Sequence, residues 1–88
     1  MFQWLSNLPV AFMKNFDQEL DACGLKCPLP TLRASKALAG MVAGQVLHVI
    51  ATDSGTTRDL PAYIKNSGNE LLEQYEDAGK FYFLLRKV

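Results

Sequence analysis

The chain has 88 residues, enough for one small domain and too few for a full dinucleotide-binding fold or a TIM barrel. Nearly half of it, 49%, is hydrophobic, which excludes a disordered tail. Nine basic residues balance nine acidic ones, so nonspecific nucleic-acid binding, which needs a basic surface to neutralise phosphates, is not expected. No run approaches the ~18 apolar residues of a membrane span. No membrane partner is expected either.

Residues 1–15, MFQWLSNLPVAFMKN, stand apart as an N-terminal extension rich in apolar side chains. They lack a basic residue before Lys14, and Pro9 interrupts the apolar stretch, so they do not read as a signal peptide. Two cysteines, Cys23 and Cys27, are too few for a secreted disulfide framework. The expected compartment is the reducing cytoplasm.

Residues 16–88 read as one regular domain. Residues 16–22 suggest a short strand broken by Gly24. Pro28 and Pro30 suit the first turn of a helix, where a missing N–H has no intrahelical partner to lose. Along that helix Pro30, Ala34, Ala37, Leu38 and Met41 form one apolar face, and Gly40 or Gly44 ends it. Residues 45–51 read as a strand. Thr56 or Thr57 can cap a second helix with Asp59 in its first turn. Leu60, Tyr63, Ile64 and Ser67 form its inner face, and Gly68 stops it.

Residues 70–76 and 81–87 read as strands joined by the loop Asp77-Ala78-Gly79. The order βαβαββ implies an α/β (α+β) two-layer sandwich: a mixed four-stranded sheet with two helices on one face. The first crossover is expected to be parallel and right-handed, and the last pair an antiparallel hairpin.

The chemistry concentrates in LDACGLKCPLP, residues 20–30. Cys27 stands where a loop hands over to a helix, and a helix N-terminus favours an anion. Lys26 adds positive charge, so a reactive thiolate is expected; the alternative is a small, inert hydrophobe. Cys23 is spaced C-x3-C from Cys27, neither the redox C-x-x-C nor a zinc pair. It is either a buried residue at the strand end or a resolving thiol for Cys27. No metal site is expected. His48, the only histidine, lies mid-strand and reads as a sheet-face residue rather than a base for Cys27. Lys26, Arg33 and Lys36 form either a solvated helix face or a surface for an acidic partner. Tyr63, Tyr75 and Phe81 read as core.

GLKCPLP with the preceding LDACG, the later ATDSGTTRDL, the GNELL step and the terminal YFLLRK together resemble the TusA/SirA-like sulfurtransferases over about residues 17–88. The resemblance implies a small α/β protein that carries sulfane sulfur as a persulfide on its CPxP cysteine, here Cys27. It implies Pro28 and Pro30 as positioning residues. Thr57, Arg58 and Asp59 match a loop-helix segment expected beside the cysteine. No cofactor is implied.

The partners implied are a sulfur donor, either a cysteine desulfurase or a rhodanese-like protein, and an acceptor relay protein. The pathways are tRNA thiolation, molybdenum-cofactor synthesis or sulfur-compound metabolism. Standalone sulfurtransferase turnover is expected to be slow or absent, and the protein a monomer or weak dimer. The alternative is a regulatory or RNA-binding module of the same fold, by analogy with a bacterial translation initiation factor domain.

The strands at 45–51 and 81–87 are apolar on both faces, so Trp4, Leu5, Leu8 and Phe12 of the extension are expected to cover part of the face away from the helices, or that face to pair two molecules; the alternative is a floppy extension or a partner-docking arm.

Overall fold

A computed structural model describes residues 16–88; the expectations for residues 1–15 lie outside them. The elements are β1 (Gln18–Ala22), α1 (Leu29–Ala39), β2 (Val46–Ala51), α2 (Thr56–Ser67), β3 (Glu70–Asp77) and β4 (Lys80–Arg86). The sheet order is β1-β2-β4-β3. β1 lies parallel to β2, with Gln18 opposite Leu47 and Ala22 opposite Ala51. β4 inserts between β2 and β3 and is antiparallel to both. The expected βαβαββ order and mixed sheet are therefore present.

Strand alternation sorts the side chains into two faces. Leu47, Val49 and Ala51 of β2 and Phe83 and Leu85 of β4 are buried against Ala34 and Leu38 of α1 and Leu60 and Ile64 of α2. Burying an aliphatic or Phe side chain contributes about 1.5–3 kcal/mol, so this layer supplies most of the fold's cohesion. Met41, just past α1, completes it, and Tyr63 and Phe81 pack at its edge. Among the described residues no helix is long and apolar enough to cross a membrane.

Local details depart from the sequence expectations in physically readable ways. The hairpin loop is Ala78-Gly79 alone, because Asp77 pairs with Lys80. Both loop residues have positive φ, 53° and 80°, the two-residue turn whose twist matches that of the flanking strands. Neither threonine caps α2 through its side chain. Gly55 occupies the cap position, while the Thr57 hydroxyl turns back to donate to the Ser54 carbonyl at 2.7 Å.

Pro61 lies inside α2 and has no N–H for the Thr57 carbonyl. That carbonyl instead accepts the Gln74 side-chain amide at 3.2 Å, tying α2 to β3. Ser67, expected on the inner face, is exposed.

The opposite sheet face carries a ladder of rings. Phe16 stacks on His48 with centroids 5.0 Å apart, His48 on Tyr82 at 5.8 Å, and Tyr82 on Tyr75 at 4.8 Å. Tyr75 thus belongs to this face, not to the core. The His48 Nδ1 lies 2.9 Å from Glu19 Oε2, and His48 and Leu84 are buried although they point away from the helices.

Candidate functional site

Parallel β1 and β2 release the chain at the same edge of the sheet. Their last residues, Ala22 and Ala51, are paired and fully buried. Crevices beyond the carboxyl ends of parallel strands are where open α/β sheets place their sites. Here the two loops that leave those strands meet.

The first loop turns at once. The Cys23 N–H donates to Asp21 Oδ1 at 3.0 Å, and Gly24, with φ at 81°, takes the left-handed conformation that only glycine adopts cheaply. Two bonds then fasten this loop to the one after β2. The Gly24 N–H donates to Thr52 Oγ1 at 2.9 Å, and the Cys27 N–H to Asp53 Oδ2 at 2.9 Å.

Cys27 is an exposed free cysteine. It lines an open concavity with Gly55, Arg58, Asp59 and Ala62. Gly55 allows the close approach: a Cβ built there would lie 3.1 Å from Asp53 Oδ2, 3.3 Å from Cys27 Cβ and 3.7 Å from its Sγ. Of the residues expected at the site, Cys27, Arg58 and Asp59 come together. Thr57 is half-buried with its hydroxyl engaged on Ser54. Lys26 is exposed and supports the turn through its carbonyl, which accepts the Leu29 N–H at 2.8 Å. Pro28 holds the cap position of α1, after a cis peptide bond from Cys27, and Pro30 is buried in the first turn.

The electrostatics reverse the expected activation of the thiol. Desolvation, the charge of Asp59, the thiol's hydrogen bond to Asp59 and the charge of Asp53 all push the Cys27 thiol above its ordinary value. Because Cys27 is exposed at the surface, the two carboxylates are the more telling causes: each favours the neutral thiol over a second negative charge.

The helix end offers little in return. Pro28 and Pro30 have no N–H, the Leu29 N–H is taken by the Lys26 carbonyl, and the Leu32 N–H by that of Pro28 at 3.0 Å. The prolines that stiffen the platform also remove two of the donors a thiolate could use.

Cys23 is half-buried and does not line the concavity. A hydrogen bond to the Asp21 carboxylate, desolvation and the Asp21 charge push its thiol up, against a smaller opposing effect of Lys80. His48 lies on the opposite face of the sheet. Among the described residues no group of three or more His, Cys, Asp or Glu side chains could hold a metal ion.

The sequence singled out neither Asp53 nor Gly55 as a site residue. The signal that could have placed them was the parallel crossover, which puts the exits of β1 and β2 side by side. The resulting site is an exposed sulfur on a stiff support, with a carboxylate in reach and a guanidinium at the rim. It suits attack on a group presented from outside the protein, and it is too open to enclose a small substrate.

Comparison with known proteins places these features. The family model described as Sulfurtransferase TusA matches residues 18–87. The chain is similar to the sulfur carrier protein TusA of Allochromatium vinosum, 61% identical over 75 residues, covering 85% of this chain and 99% of that protein. It is 46% identical over 71 residues to the sulfur carrier protein TusA of Pseudomonas putida, covering 81% of this chain and 89% of the relative. The crystal structure of a SirA-like protein from Desulfitobacterium hafniense superposes with a TM-score of 0.72 at 29% identity, covering 80% of this chain and 96% of that one.

Proposed function

The chain belongs to the TusA sulfurtransferase family, and from that premise we propose that it is a sulfur carrier whose Cys27 holds the sulfur as a persulfide. The observation that carries this reading is the placement of Cys27. It is an exposed thiol at the meeting point of both parallel-strand exits, its backbone pinned by Asp53. Cys23, the other thiol, is turned to Asp21.

In the loading step Cys27 sulfur attacks the outer sulfur of a donor persulfide. A Cys27 S–S bond forms, the donor S–S bond breaks, and the donor thiolate leaves with the proton that Cys27 gives up. The outer sulfur moves without net oxidation, so neither an oxidant nor a cofactor is required. Unloading onto an acceptor thiol is the same step with the roles exchanged.

An open site of this kind works inside protein–protein complexes, so standalone turnover is slow. The donor is a cysteine desulfurase or rhodanese-like protein, and the acceptor a relay protein of tRNA thiolation, molybdenum-cofactor synthesis or sulfur metabolism. A reducing cytoplasm keeps such a thiol available. The RNA-binding alternative is not favoured, since the relatives are named sulfur carriers and the chain is electrically balanced.

Incubation with a sulfane-sulfur donor followed by mass spectrometry tests the reading. The expected product carries one added sulfur on Cys27, absent in Cys27→Ser. Equal loading of that variant would reassign the sulfur to another residue.

A further inference from the structure

Asp59 sits in the first turn of α2, on the wall of the Cys27 concavity. Its side chain shares that concavity with the Cys27 sulfur. Its Oδ2 is buried and has no hydrogen-bond partner, although a buried polar atom normally finds one. A fold that needed only a helix-dipole partner at this position could have kept the carboxylate in water. Asp53, the other carboxylate at the site, already accepts the Cys27 N–H. Arg58 is exposed at the rim.

We infer that Asp59 is the proton acceptor of the carrier cysteine, taking the Cys27 thiol proton as the new S–S bond forms and passing it to the departing thiolate. The inference rests on the reading of Cys27 as the sulfur-bearing residue. It resolves a tension in the site. Desolvation and two nearby carboxylates push Cys27 further toward the thiol, yet the thiolate is the nucleophile.

A base beside the sulfur removes the need for a standing population of thiolate. Deprotonation accompanies attack, and the leaving thiolate recovers the proton. Before the step there are a Cys27 thiol, a donor persulfide and an Asp59 carboxylate. Afterwards there are a Cys27 persulfide, a donor thiol and the same carboxylate. The resting carrier is thereby protected from adventitious alkylation and oxidation, both of which need the thiolate.

Among the described residues the charged groups beside Cys27 are Asp53 from the β2–α2 loop and Arg58 and Asp59 from α2; Lys26, its neighbour in the chain, is exposed. Of these, only Asp59 lines the concavity with a buried oxygen that has no hydrogen-bond partner.

The test compares Asp59→Asn and Asp59→Glu with the wild type. Two rates are read across pH: alkylation of Cys27 by iodoacetamide, and loading from a low-molecular-weight persulfide, which removes any question of partner docking. In Asp59→Asn, alkylation at neutral pH should rise about twofold to fivefold, the scale of one screened charge. Loading should fall by about 10²-fold, the low end of general-base assistance. Asp59→Glu, which keeps the carboxylate, should recover part of the loading rate.

Thermal melting confirms that the variants are folded, and an alkylation rate that rises while loading falls is not a signature of unfolding. If loading in Asp59→Asn rises with alkylation, Asp59 is only a brake on the thiolate and the inference is overturned. Equal loading in wild type and Asp59→Asn overturns it too. Failure of the wild type itself to load at Cys27 would instead overturn the carrier reading on which it rests.

Discussion

The backbone N–H of Cys27 donates to Oδ2 of Asp53 at 2.9 Å, across a sequence separation of 26 residues. This bond joins the loop that ends β1 to the loop that ends β2 and fixes where the sulfur stands. Asp53 plays two separable parts: its oxygen anchors the loop, and its charge helps keep the thiol protonated.

Asp53→Asn keeps an acceptor and removes the charge. Its stability should stay close to wild type, while alkylation of Cys27 at neutral pH becomes faster. Asp53→Ala loses both and should cost about 1 kcal/mol, the net worth of a typical hydrogen bond. In the wild type, the alkylation midpoint should lie above the ~8.5 of a free cysteine. Urea unfolding and pH-resolved labelling read the two effects. A wild-type midpoint below that value would mean that the carboxylates do not govern the thiol.

Gly55 tests contact rather than backbone freedom, because its φ of −62° is open to any residue. Adding a methyl group would bring carbon within 3.1 Å of Asp53 Oδ2 and 3.3 Å of Cys27 Cβ. One of them must move. Gly55→Ala should therefore slow sulfur loading about tenfold, on the scale of a small misplacement of reacting groups, with a loss of stability below about 1 kcal/mol. An unchanged loading rate would show that the two loops yield without moving the sulfur.

Much of this organisation was legible in the sequence, and the failures share a cause. Periodicity located Pro30, Ala34 and Leu38 on the buried face of α1, and Leu60 and Ile64 on that of α2. The run 45–51 announced its strand, and the motif around Cys27 announced the family. Periodicity carries no information on strand order, so the insertion of β4 between β2 and β3 was not anticipated.

The surroundings of the thiol were legible only in part for the same reason. Lys26 is next to Cys27 in the chain, but Asp53 and Asp59 are its neighbours in space. Tyr75 was assigned to the core because its strand was read without the register that pairs it with Tyr82 on the other face.

His48 separates stability from function. Its ring is buried between Phe16 and Tyr82 and bonded to Glu19, on the sheet face opposite the helices, while Cys27 lies at the sheet's end. His48→Ala should destabilise the domain by about 2–4 kcal/mol, the range for truncating a large buried side chain. Sulfur loading at temperatures where the variant remains folded should equal that of the wild type. A loading defect in folded His48→Ala would connect the ring ladder to the site and contradict this separation.

Cys23 provides the sharpest question left by the two cysteines. A resolving thiol must reach the persulfide and be ionised enough to attack it. Cys23 is turned toward Asp21, whose carboxylate accepts both its N–H and its thiol and pushes that thiol up. It is also outside the concavity where Cys27 lies. The Asp21 carboxyl is lowered by the same bonds, above all by the Cys23 N–H. This arrangement therefore persists at neutral pH and is lost only as acid protonates Asp21. Cys23→Ala should accordingly leave the lifetime of the Cys27 persulfide unchanged at neutral pH, measured by the decay of the sulfur-loaded mass. Mild oxidation of the wild type should give no Cys23–Cys27 disulfide. A longer-lived persulfide in Cys23→Ala, together with that disulfide in the wild type, would make Cys23 a resolving thiol and show that its loop leaves Asp21 during the reaction.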